Sequence, residues 1–430
     1  MSGAQLQVGV AEVDITPAAP TPLAGFAHRN NASFEGVDLP LSLKAFWWSV
    51  GNDNALLVVA DILWWAPERV EDLRARIAQE WPVAADRIIL HATHTHSAPH
   101  PSRVFTESLG IPDDAWIELL ESRLFEVVGQ AWDNRTEATV SRGRGSSSIG
   151  LNRRVALGAD PGEQEFVDPE VIVLRVDDMN GDPLAALVHY ACHPTINELA
   201  RISSEFPGFM CDRVSKRLGD GVVVAYLQGC CGDINPLPFL DRGKRPIGHA
   251  DVVKMGEILA GDVESVLDGP MERLTLDRIT SRRDVAMLAM QRVPPPEELD
   301  VAKDRTDVVG EWARVLLADP ARCASPLGVE VTHLRLGDDL GFLAMAAEVT
   351  TPYGIAIKSR SNGVTLPLPY SNGMLGYVVT DDQLARGGYE SVESATYFGL
   401  PSPFAPGIEQ AFSGAIERAL SADERTHPTR

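Results

Sequence analysis

Residues 55–90 carry the pattern that most restricts how this chain folds. An apolar run, ALLVVA (55–60), is followed by an amphipathic stretch from Pro67 to residue 81 and then by a second apolar run, RIIL (87–90). Two short apolar segments joined by an amphipathic helix indicate a strand–helix–strand unit. The unit predicts an α/β protein, because parallel strands need such a crossover between them.

Patterns of the same two kinds continue along the chain, and they predict mixed β-sheets flanked by helices. The further predicted strands are 170–176, 184–190, 222–227, 331–336 and 341–347, and the further predicted helices are 114–130, 207–218, 247–267, 297–318 and 406–420. No Pro/Ser-rich linker divides residues 1–430, so we predict a single domain. The segment PPPEEL (294–299) opens a candidate helical insertion at 290–325.

The charge and hydropathy of the chain restrict its partners. A formal net charge of −22 repels nucleic acid and anionic membrane surfaces, so neither is expected as a partner. No apolar run approaches the roughly 20 residues of a spanning helix, so no membrane anchor is expected. The N-terminus shows no secretory pattern and the five cysteines show no CxxC spacing, which favours a reduced, cytoplasmic location. A mature chain without its leader would show the same features.

Four of the ten histidines lie in LHATHTHSAPH (90–100), directly after the second strand of the unit: His91, His94, His96 and His100. Neutral imidazole is the commonest metal ligand, and ligand sites in α/β sheets tend to form at the carboxyl ends of strands. In an extended segment residues two apart point the same way, so His94 and His96 are expected to share one face. The cluster therefore favours a metal site over a solvated loop or a patch of hydrogen-bonded core.

Two other segments offer ligands from distant sequence. ALVHYACHPTINE (186–198) places His189 and His193 around the end of a predicted strand, and Glu348 follows the predicted strand 341–347. Catalytic zinc sites commonly use three N, S or O ligands and keep one position open. A carboxylate at the end of a buried strand needs a partner, which a metal or an arginine would supply. We interpret His189 as a core residue, and Glu348 remains open between a ligand and a capping or salt-bridge role.

The segment HATHTHSAP (91–99) resembles the HTHSGP motif of the neutral/alkaline ceramidases, a family of zinc amidases that cleave N-acylsphingosine. Six further stretches between residues 8 and 390 are similar to motifs of the same family, in the same order. They are VGVAEVDITPAAPTPLAGF (8–26), GLNRRVA (150–156), ACHPTI with ISSEFPGF (191–196 and 202–209), QGCCGDINP (228–236), AEVTTPYG (347–354) and GYVVTDDQLARGGYE (376–390). The resemblance implies a neutral-ceramidase-like zinc-hydrolase catalytic domain.

The resemblance also implies a ligand set. It implies a Zn²⁺ ion, one per chain, held by His94, His193, Glu348 and Tyr377, with water completing the shell. Three of these residues agree with the reading of the strand ends, whereas Tyr377 follows from the resemblance alone. Ligands of these types also suit Fe, Co or Mn, so the sequence predicts a divalent metal more firmly than zinc.

Further residues receive catalytic roles from the resemblance. It implies that His96 lies beside the metal and donates a hydrogen bond to the developing oxyanion, and that Arg153 and Tyr389 orient the substrate. It implies that Asp14 is a structural carboxylate or one that supports the metal ligands. Asn235 stands where the family has the serine of its G-D-V-S-P motif. A carboxamide is no hydroxyl nucleophile, so a reaction here depends on metal-activated water, and Asn235 is left to orient that water or to bind substrate.

These observations predict a zinc-dependent hydrolase that cleaves an amide (C–N) bond of an N-acyl or cyclic amide small molecule. The chain ends at residue 430 and is expected to lack the C-terminal immunoglobulin-like domain of ceramidases. We therefore expect a divergent member of the family with a smaller, more polar substrate. A metal-dependent esterase or lactonase and a non-catalytic binder of acylated ligands remain alternatives. No GxSxG or HExxH motif supports a serine hydrolase or a zincin.

Overall fold

A computed structural model describes residues 5–156 and 166–421 of the chain. Its strands are β1 (Leu6–Asp14), β2 (Ser42–Val50), β3 (Asp53–Ala60), β4 (Ile88–Ala92), β5 (Thr136–Ser146), β6 (Gly150–Asn152), β7 (Glu170–Asp178), β8 (Pro183–Tyr190), β9 (Val223–Gln228), β10 (Ile234–Pro236), β11 (Glu272–Arg273), β12 (Ile279–Leu288), β13 (Leu327–Leu336), β14 (Leu340–Met345), β15 (Glu348–Val349), β16 (Thr365–Leu368) and β17 (Tyr377–Val378). Its α-helices are α1 (Val70–Glu80), α2 (Asp114–Asp133), α3 (Arg153–Ala156), α4 (Glu205–Leu218), α5 (His249–Asp268), α6 (Pro296–Ala302), α7 (Val308–Ala318), α8 (Thr351–Arg360), α9 (Asp381–Arg386), α10 (Ser394–Tyr397) and α11 (Ile408–Leu420).

The larger sheet has the strand order β4-β3-β2-β1-β5-β7-β8-β9, with β11 paired to β5. The pairs β3–β4 and β8–β9 at its two edges are parallel, and the ladders between them are antiparallel. The two edges approach each other at their carboxyl ends, because the His91 imidazole of β4 accepts a hydrogen bond of 2.9 Å from the backbone N–H of Gln228 in β9. Loops that leave β4, β8 and β9 therefore meet in one region.

A second sheet, in the order β12-β13-β14-β16, packs against one face of the larger sheet. Trp48 of β2 and Phe342 of β14 meet in this interface, with ring centroids 6.5 Å apart, and both are fully buried. Helices α2, α4 and α5 cover the outer face of the larger sheet, and α8 and α11 cover that of the second sheet. The result is a four-layered α/β protein with mixed sheets flanked by helices, as the sequence predicts.

Strand β2 shows why some strands escape prediction. All of its residues from Leu43 to Val50 are buried, because helix α2 covers one face and the second sheet covers the other. Trp47 packs edge-on against Trp132 of α2, with ring centroids 5.0 Å apart, whereas Trp48 points to the opposite face. A strand buried on both faces loses the apolar–polar alternation by which a strand is recognised.

The predicted helix at 297–318 is wrong in its middle. It consists of two helices, α6 and α7, and the Asp307 side chain starts the second by accepting a hydrogen bond of 3.3 Å from the Gly310 N–H. Aspartate favours such a capping position over a helix interior. Both helices fall within the candidate insertion at 290–325 and lie between β12 and β13, which pair with each other. Among the described residues, no helix is long and apolar enough to cross a membrane.

Candidate metal centre

The loop that follows β4 turns sharply at His94. The strand ends at Ala92, and His94 adopts a left-handed backbone conformation with φ at +66°. The expectation of an extended segment is therefore wrong, because the His94 N–H bonds to the Ile62 carbonyl (3.0 Å) and the loop leaves the sheet. The rings of His94 and His96 nevertheless meet, with their Nε2 atoms 3.2 Å apart.

His193 and Glu348 reach the same point from other strand ends. His193 follows β8, and its Nε2 lies 2.7 Å from Glu348 Oε1. The same carboxylate oxygen is 3.3 Å from His94 Nε2. Glu348 starts the short strand β15, which pairs in parallel with β17 so that Glu348 stands opposite Tyr377. Segments nearly three hundred residues apart in the sequence thus converge on a single buried cluster.

The proton positions of the three imidazoles follow from their hydrogen bonds. Each Nδ1 lies within 3.0 Å of a backbone carbonyl: His94 with Leu63, His96 with Gly25 and His193 with Ile234. A carbonyl only accepts, so in the neutral ring the proton is on Nδ1 and Nε2 presents a bare lone pair. Three such lone pairs and an ionised carboxylate oxygen therefore face one another. A cation at their centre resolves this arrangement, and carbonyl-bonded imidazoles are usual among metal ligands.

Burial and neighbouring charges shift the pKa values of His96, His193 and Glu348. Burial, together with the adjacent His94 and His193 rings, lowers the pKa of His96 well below its ordinary value. Burial, with the nearby Arg153 and His94, lowers the pKa of His193 against the opposing effect of Glu348. Burial would raise the pKa of Glu348, but in the metal-free cluster positive charge and N–H donors from the His94 and His193 side hold that pKa well below its usual range. A bound cation would supply the same stabilisation when both rings are neutral. Neutral imidazoles and an ionised carboxylate are the forms that bind metals.

Among residues 5–156 and 166–421, His94, His96 and His193 offer ring nitrogens within 4.8 Å of one another, which is the spacing of a metal site. Three of the four ligands predicted from the sequence thus lie together, namely His94, His193 and Glu348. Tyr377, the fourth, hydrogen-bonds to Glu348. Burial and the Glu348 carboxylate raise the pKa of Tyr377, so its hydroxyl keeps its proton. His96 lies as close to the cluster as the proposed ligands do.

Arg153 borders the cluster and is held by four acceptors. Its guanidinium donates to Glu390 Oε1 (2.7 Å), Asn235 Oδ1 (3.2 Å), the Gly232 carbonyl (2.8 Å) and the Tyr377 hydroxyl (3.1 Å). Burial would lower the pKa of Arg153, but Tyr377 and Glu390 raise it well above its ordinary value. Asn235 therefore contacts the arginine that borders the cluster, from a buried position on β10.

Tyr389 lies at the outer side of this group. Its ring centroid is 5.8 Å from that of Tyr377 and 5.8 Å from the Arg153 guanidinium carbon, and the residue is 37% exposed. Arg153 and Tyr389 are thus neighbours, with the tyrosine facing solvent. Asp14 is exposed at the end of β1, where its side chain accepts a hydrogen bond of 2.6 Å from the Thr16 N–H. Of the two roles that the resemblance implied for Asp14, the structural one fits.

The other histidines singled out in the sequence, His91, His100 and His189, are core residues. His91 Nδ1 lies 2.8 Å from Ser371 Oγ, His100 Nδ1 lies 2.8 Å from the Ser102 carbonyl, and His189 Nε2 lies 3.0 Å from the Pro367 carbonyl. All three are buried, and they belong to the packing around the sheets. The interpretation of His189 as a core residue is therefore correct, whereas only half of the four-histidine cluster reaches the candidate site.

Asp233 is a supporting residue that the sequence reading missed. Its carboxylate accepts hydrogen bonds from the Thr351 N–H (2.8 Å), the Thr351 hydroxyl (2.7 Å), Gln383 (3.0 Å) and Asn152 (3.4 Å). These bonds connect the start of α8, the helix α9 and the strand β6, the elements adjacent to Glu348, Tyr377 and Arg153. The sequence feature that could have identified Asp233 is its position in QGCCGDINP, two residues before Asn235.

Comparison with protein-family models finds no match, and neither does comparison of the sequence with curated proteins. Solved structures do match. Neutral ceramidase from Pseudomonas aeruginosa superposes with a TM-score of 0.77 at 18% identity, over 96% of this chain and 73% of that one. A ceramidase complexed with C2 superposes with a TM-score of 0.76 at 18% identity, over 96% of this chain and 74% of that one. The chain has a neutral-ceramidase-like fold, which confirms the predicted fold class.

Proposed function

We propose that this protein is a zinc-dependent hydrolase that cleaves the amide (C–N) bond of an N-acyl or cyclic amide small molecule. The observation that carries the proposal is the convergence of three bare imidazole nitrogens and one carboxylate oxygen at a buried point. The fold is shared with two ceramidase structures, which supports a hydrolase.

His94, His193 and Glu348 would hold the metal, with the Tyr377 hydroxyl as a fourth ligand. His94 and His193 are fully buried and both lie within 3.3 Å of Glu348, whereas His96 is partly exposed. A Zn²⁺ ion in such a site supplies a Lewis acid and lowers the pKa of a bound water to about 7. The donor set fits this ion, since zinc takes imidazole and carboxylate ligands.

His96 is the residue that would move the proton. With its Nδ1 proton donated to the Gly25 carbonyl, the neutral ring has no Nε2 proton, so the donor role that the resemblance implied requires the imidazolium form. The bare Nε2 faces the cluster and the His96 ring is partly exposed, packed against Phe26 with ring centroids 5.0 Å apart. In the proposed reaction Nε2 takes the proton of the attacking water and, as imidazolium, gives it to the leaving nitrogen. The Gly25 carbonyl stabilises the imidazolium, because it accepts the Nδ1 proton throughout.

Arg153 and Tyr389 would bind and orient the substrate. The Arg153 guanidinium is fixed by Glu390 and Asn235, so it presents a positive charge in a set position beside the cluster. Such preorganised charge stabilises a developing oxyanion without reorganisation. Asn235 acts in this scheme as a positioning residue for Arg153, since its side-chain oxygen accepts a hydrogen bond from the guanidinium. No hydroxyl nucleophile is required at position 235.

Elemental analysis and a paired substrate screen test the proposal. Protein purified without added metal should contain about one zinc per chain, and its turnover of N-acyl compounds should disappear with a chelator and return with Zn²⁺. Matched O-acyl esters and lactones assayed in parallel decide the bond type, because the same site would attack any activated acyl carbon. Metal-free protein, or turnover that a chelator leaves unchanged, would contradict a metal hydrolase and favour a binder of acylated ligands.

A further inference from the structure

The segment after His193 is held from two sides by buried charged side chains outside the candidate metal set. The loop at residues 194–198 leaves the centre and leads toward α4. Arg29 contacts it through its carbonyl groups, and Glu205 contacts it through its amide groups. Neither residue has a role in the proposed reaction, so the burial of two charged side chains beside the candidate metal centre needs an explanation.

Arg29 ties this loop to the loop that carries His96. The guanidinium donates to the Asn197 carbonyl (2.6 Å) and the Glu198 carbonyl (3.2 Å). It also donates to the His96 carbonyl and to the Ala24 carbonyl (3.1 Å), next to the Gly25 carbonyl that orients the His96 ring. Arg29 thus links the backbones that carry two imidazoles of the centre, beside the direct hydrogen bond of 3.3 Å from the His96 N–H to the Pro194 carbonyl.

Glu205 holds the same loop through its backbone amides. Its Oε1 accepts a hydrogen bond of 2.5 Å from the Asn197 N–H and a further one from the Ile196 N–H. The residue is fully buried and its backbone has φ at +60°, a conformation that favours glycine. A glutamate kept in a strained, buried position indicates that its carboxylate is needed there.

Arg29 and Glu205 bond to opposite kinds of polar group in the same loop. Among the described residues, Arg29 and Glu205 form no direct ion pair; the positive charge meets carbonyl oxygens and the negative charge meets amide hydrogens of the same loop. Burial lowers the pKa of Arg29 to about 10 although Glu205 raises it, and burial raises the pKa of Glu205 to about 7 although the loop amides and Arg29 lower it, so the two groups interact electrostatically. An uncompensated buried charge is strongly unfavourable, so removal of one partner also destabilises the other.

We propose that Arg29 and Glu205 form a clamp that positions His96 and His193 for metal binding and proton transfer. The inference rests on the proposed function for its effect on catalysis, but the positions of the two loops are measurable without a metal. Both residues are positioning residues, since they act on the centre through the backbone.

Zinc affinity of three variants, measured by competition with a chelator, tests the clamp. Arg29→Lys keeps the charge but replaces the planar five-donor fork by one ammonium, so we expect the affinity to fall by about tenfold or more. We expect kcat to fall with little change in KM, because substrate contacts are untouched. Arg142→Lys is the matched control: Arg142 is buried and also donates to two backbone carbonyls, those of Asp339 and Gly363. It should leave the zinc affinity within about twofold of wild type.

Glu205→Gly separates positioning from stability. Glycine relieves the left-handed strain, so the variant should fold, yet the Ile196 and Asn197 amides lose their acceptor. In metal-free protein, hydrogen exchange of peptides covering 193–198 should accelerate in Glu205→Gly and Arg29→Lys and not in Arg142→Lys. Glu205→Gln retains an acceptor oxygen and should recover part of the zinc affinity.

Unchanged zinc affinity together with unchanged exchange in Arg29→Lys and Glu205→Gly would overturn the clamp. Wild-type protein that binds no zinc would overturn the proposed function instead. In that case exchange at 193–198 alone decides whether Arg29 and Glu205 position the loops: acceleration supports the clamp, and wild-type rates contradict it.

Discussion

Two histidines separated by one residue occupy different surroundings. His94 is fully buried, contacts Glu348 and stacks on Tyr370 with ring centroids 4.0 Å apart. His96 is partly exposed and packs against Phe26 at the outer side of the cluster. The left-handed turn at His94 produces this difference, because it directs one ring inward while the next residues continue along the loop. The two side chains are therefore expected to serve different purposes.

Alanine substitutions distinguish these purposes. His94→Ala should abolish both zinc binding and activity, because it removes a proposed metal ligand. The His94 imidazole lies next to the same Glu348 carboxylate oxygen as His193. His96→Ala should retain zinc and lower kcat about 10²–10⁴-fold, the range for losing a general acid–base. Metal content by elemental analysis, read beside kcat, measures both effects.

The control for this pair is His28→Ala, which removes an exposed imidazole near the same loop. It should retain both zinc and activity. A His96→Ala protein that is also free of metal would show that His96 is a ligand, and the assignment of Tyr377 as the fourth ligand would then be lost.

At the scale of elements, the centre is assembled by short segments instead of long ones. β6, β10, β15 and β17 have two or three residues each, yet they carry or adjoin Arg153, Asn235, Glu348 and Tyr377. Short strands have little stability of their own, so the side chains that connect them set their positions. Asp233 supplies these connections, as its two oxygens accept bonds from Thr351 in α8, Gln383 in α9 and Asn152 in β6.

Asp233→Asn tests this role. The carboxamide replaces one acceptor oxygen by an NH₂ donor, so the buried donors that bonded to that oxygen lose their acceptor. We expect the free energy of unfolding to fall by about 1–3 kcal/mol. Urea unfolding of metal-free protein measures the loss without a contribution from bound zinc. The control is Asp178→Asn, since Asp178 is a partly exposed carboxylate that also accepts backbone hydrogen bonds, from Asn180 and Asp182. Equal effects of the two substitutions would contradict a connecting role for Asp233.

At the scale of the whole molecule, the interface between the two sheets forms a second apolar core behind the site. Phe342 of the second sheet is fully buried there beside Trp48 of the larger sheet. The strands that lead to Glu348 belong to the second sheet, and those that lead to His94 and His193 belong to the larger one. The relative position of the two sheets therefore determines whether carboxylate and imidazoles meet.

Phe342→Ala should lower the free energy of unfolding by about 3–5 kcal/mol, because it leaves a cavity between two packed sheets. Urea unfolding measures this change. Met287→Ala, at a half-exposed position on the edge strand β12, is the control and should have a much smaller effect. A small loss for Phe342→Ala would show that the interface collapses around the vacancy and is not rigidly packed.

Sequence patterns within short windows determined much of the architecture and the chemistry of the centre. The β3–α1–β4 unit and the strands β7, β8 and β9 are predicted by apolar runs and helical periodicity. The burial of a strand or of a helix face produces a pattern of apolar residues close together in the sequence. His94, His193 and Glu348 were accessible for the same reason, since each follows a predicted strand. The doubly covered strand β2 was not accessible, because its burial on both faces depends on elements elsewhere in the chain.

Only the tertiary structure decided how the ligands face one another. The carbonyls that fix the tautomers of His94, His96 and His193 come from residues 31, 71 and 41 positions away. The Arg29 guanidinium meets carbonyls 168 and 169 positions along the chain, and Asp233 meets donors up to 150 positions away. A local pattern predicts which strand or helix a residue belongs to or follows. The hydrogen-bond partner of a buried polar group depends instead on which distant segment the packed fold places beside it.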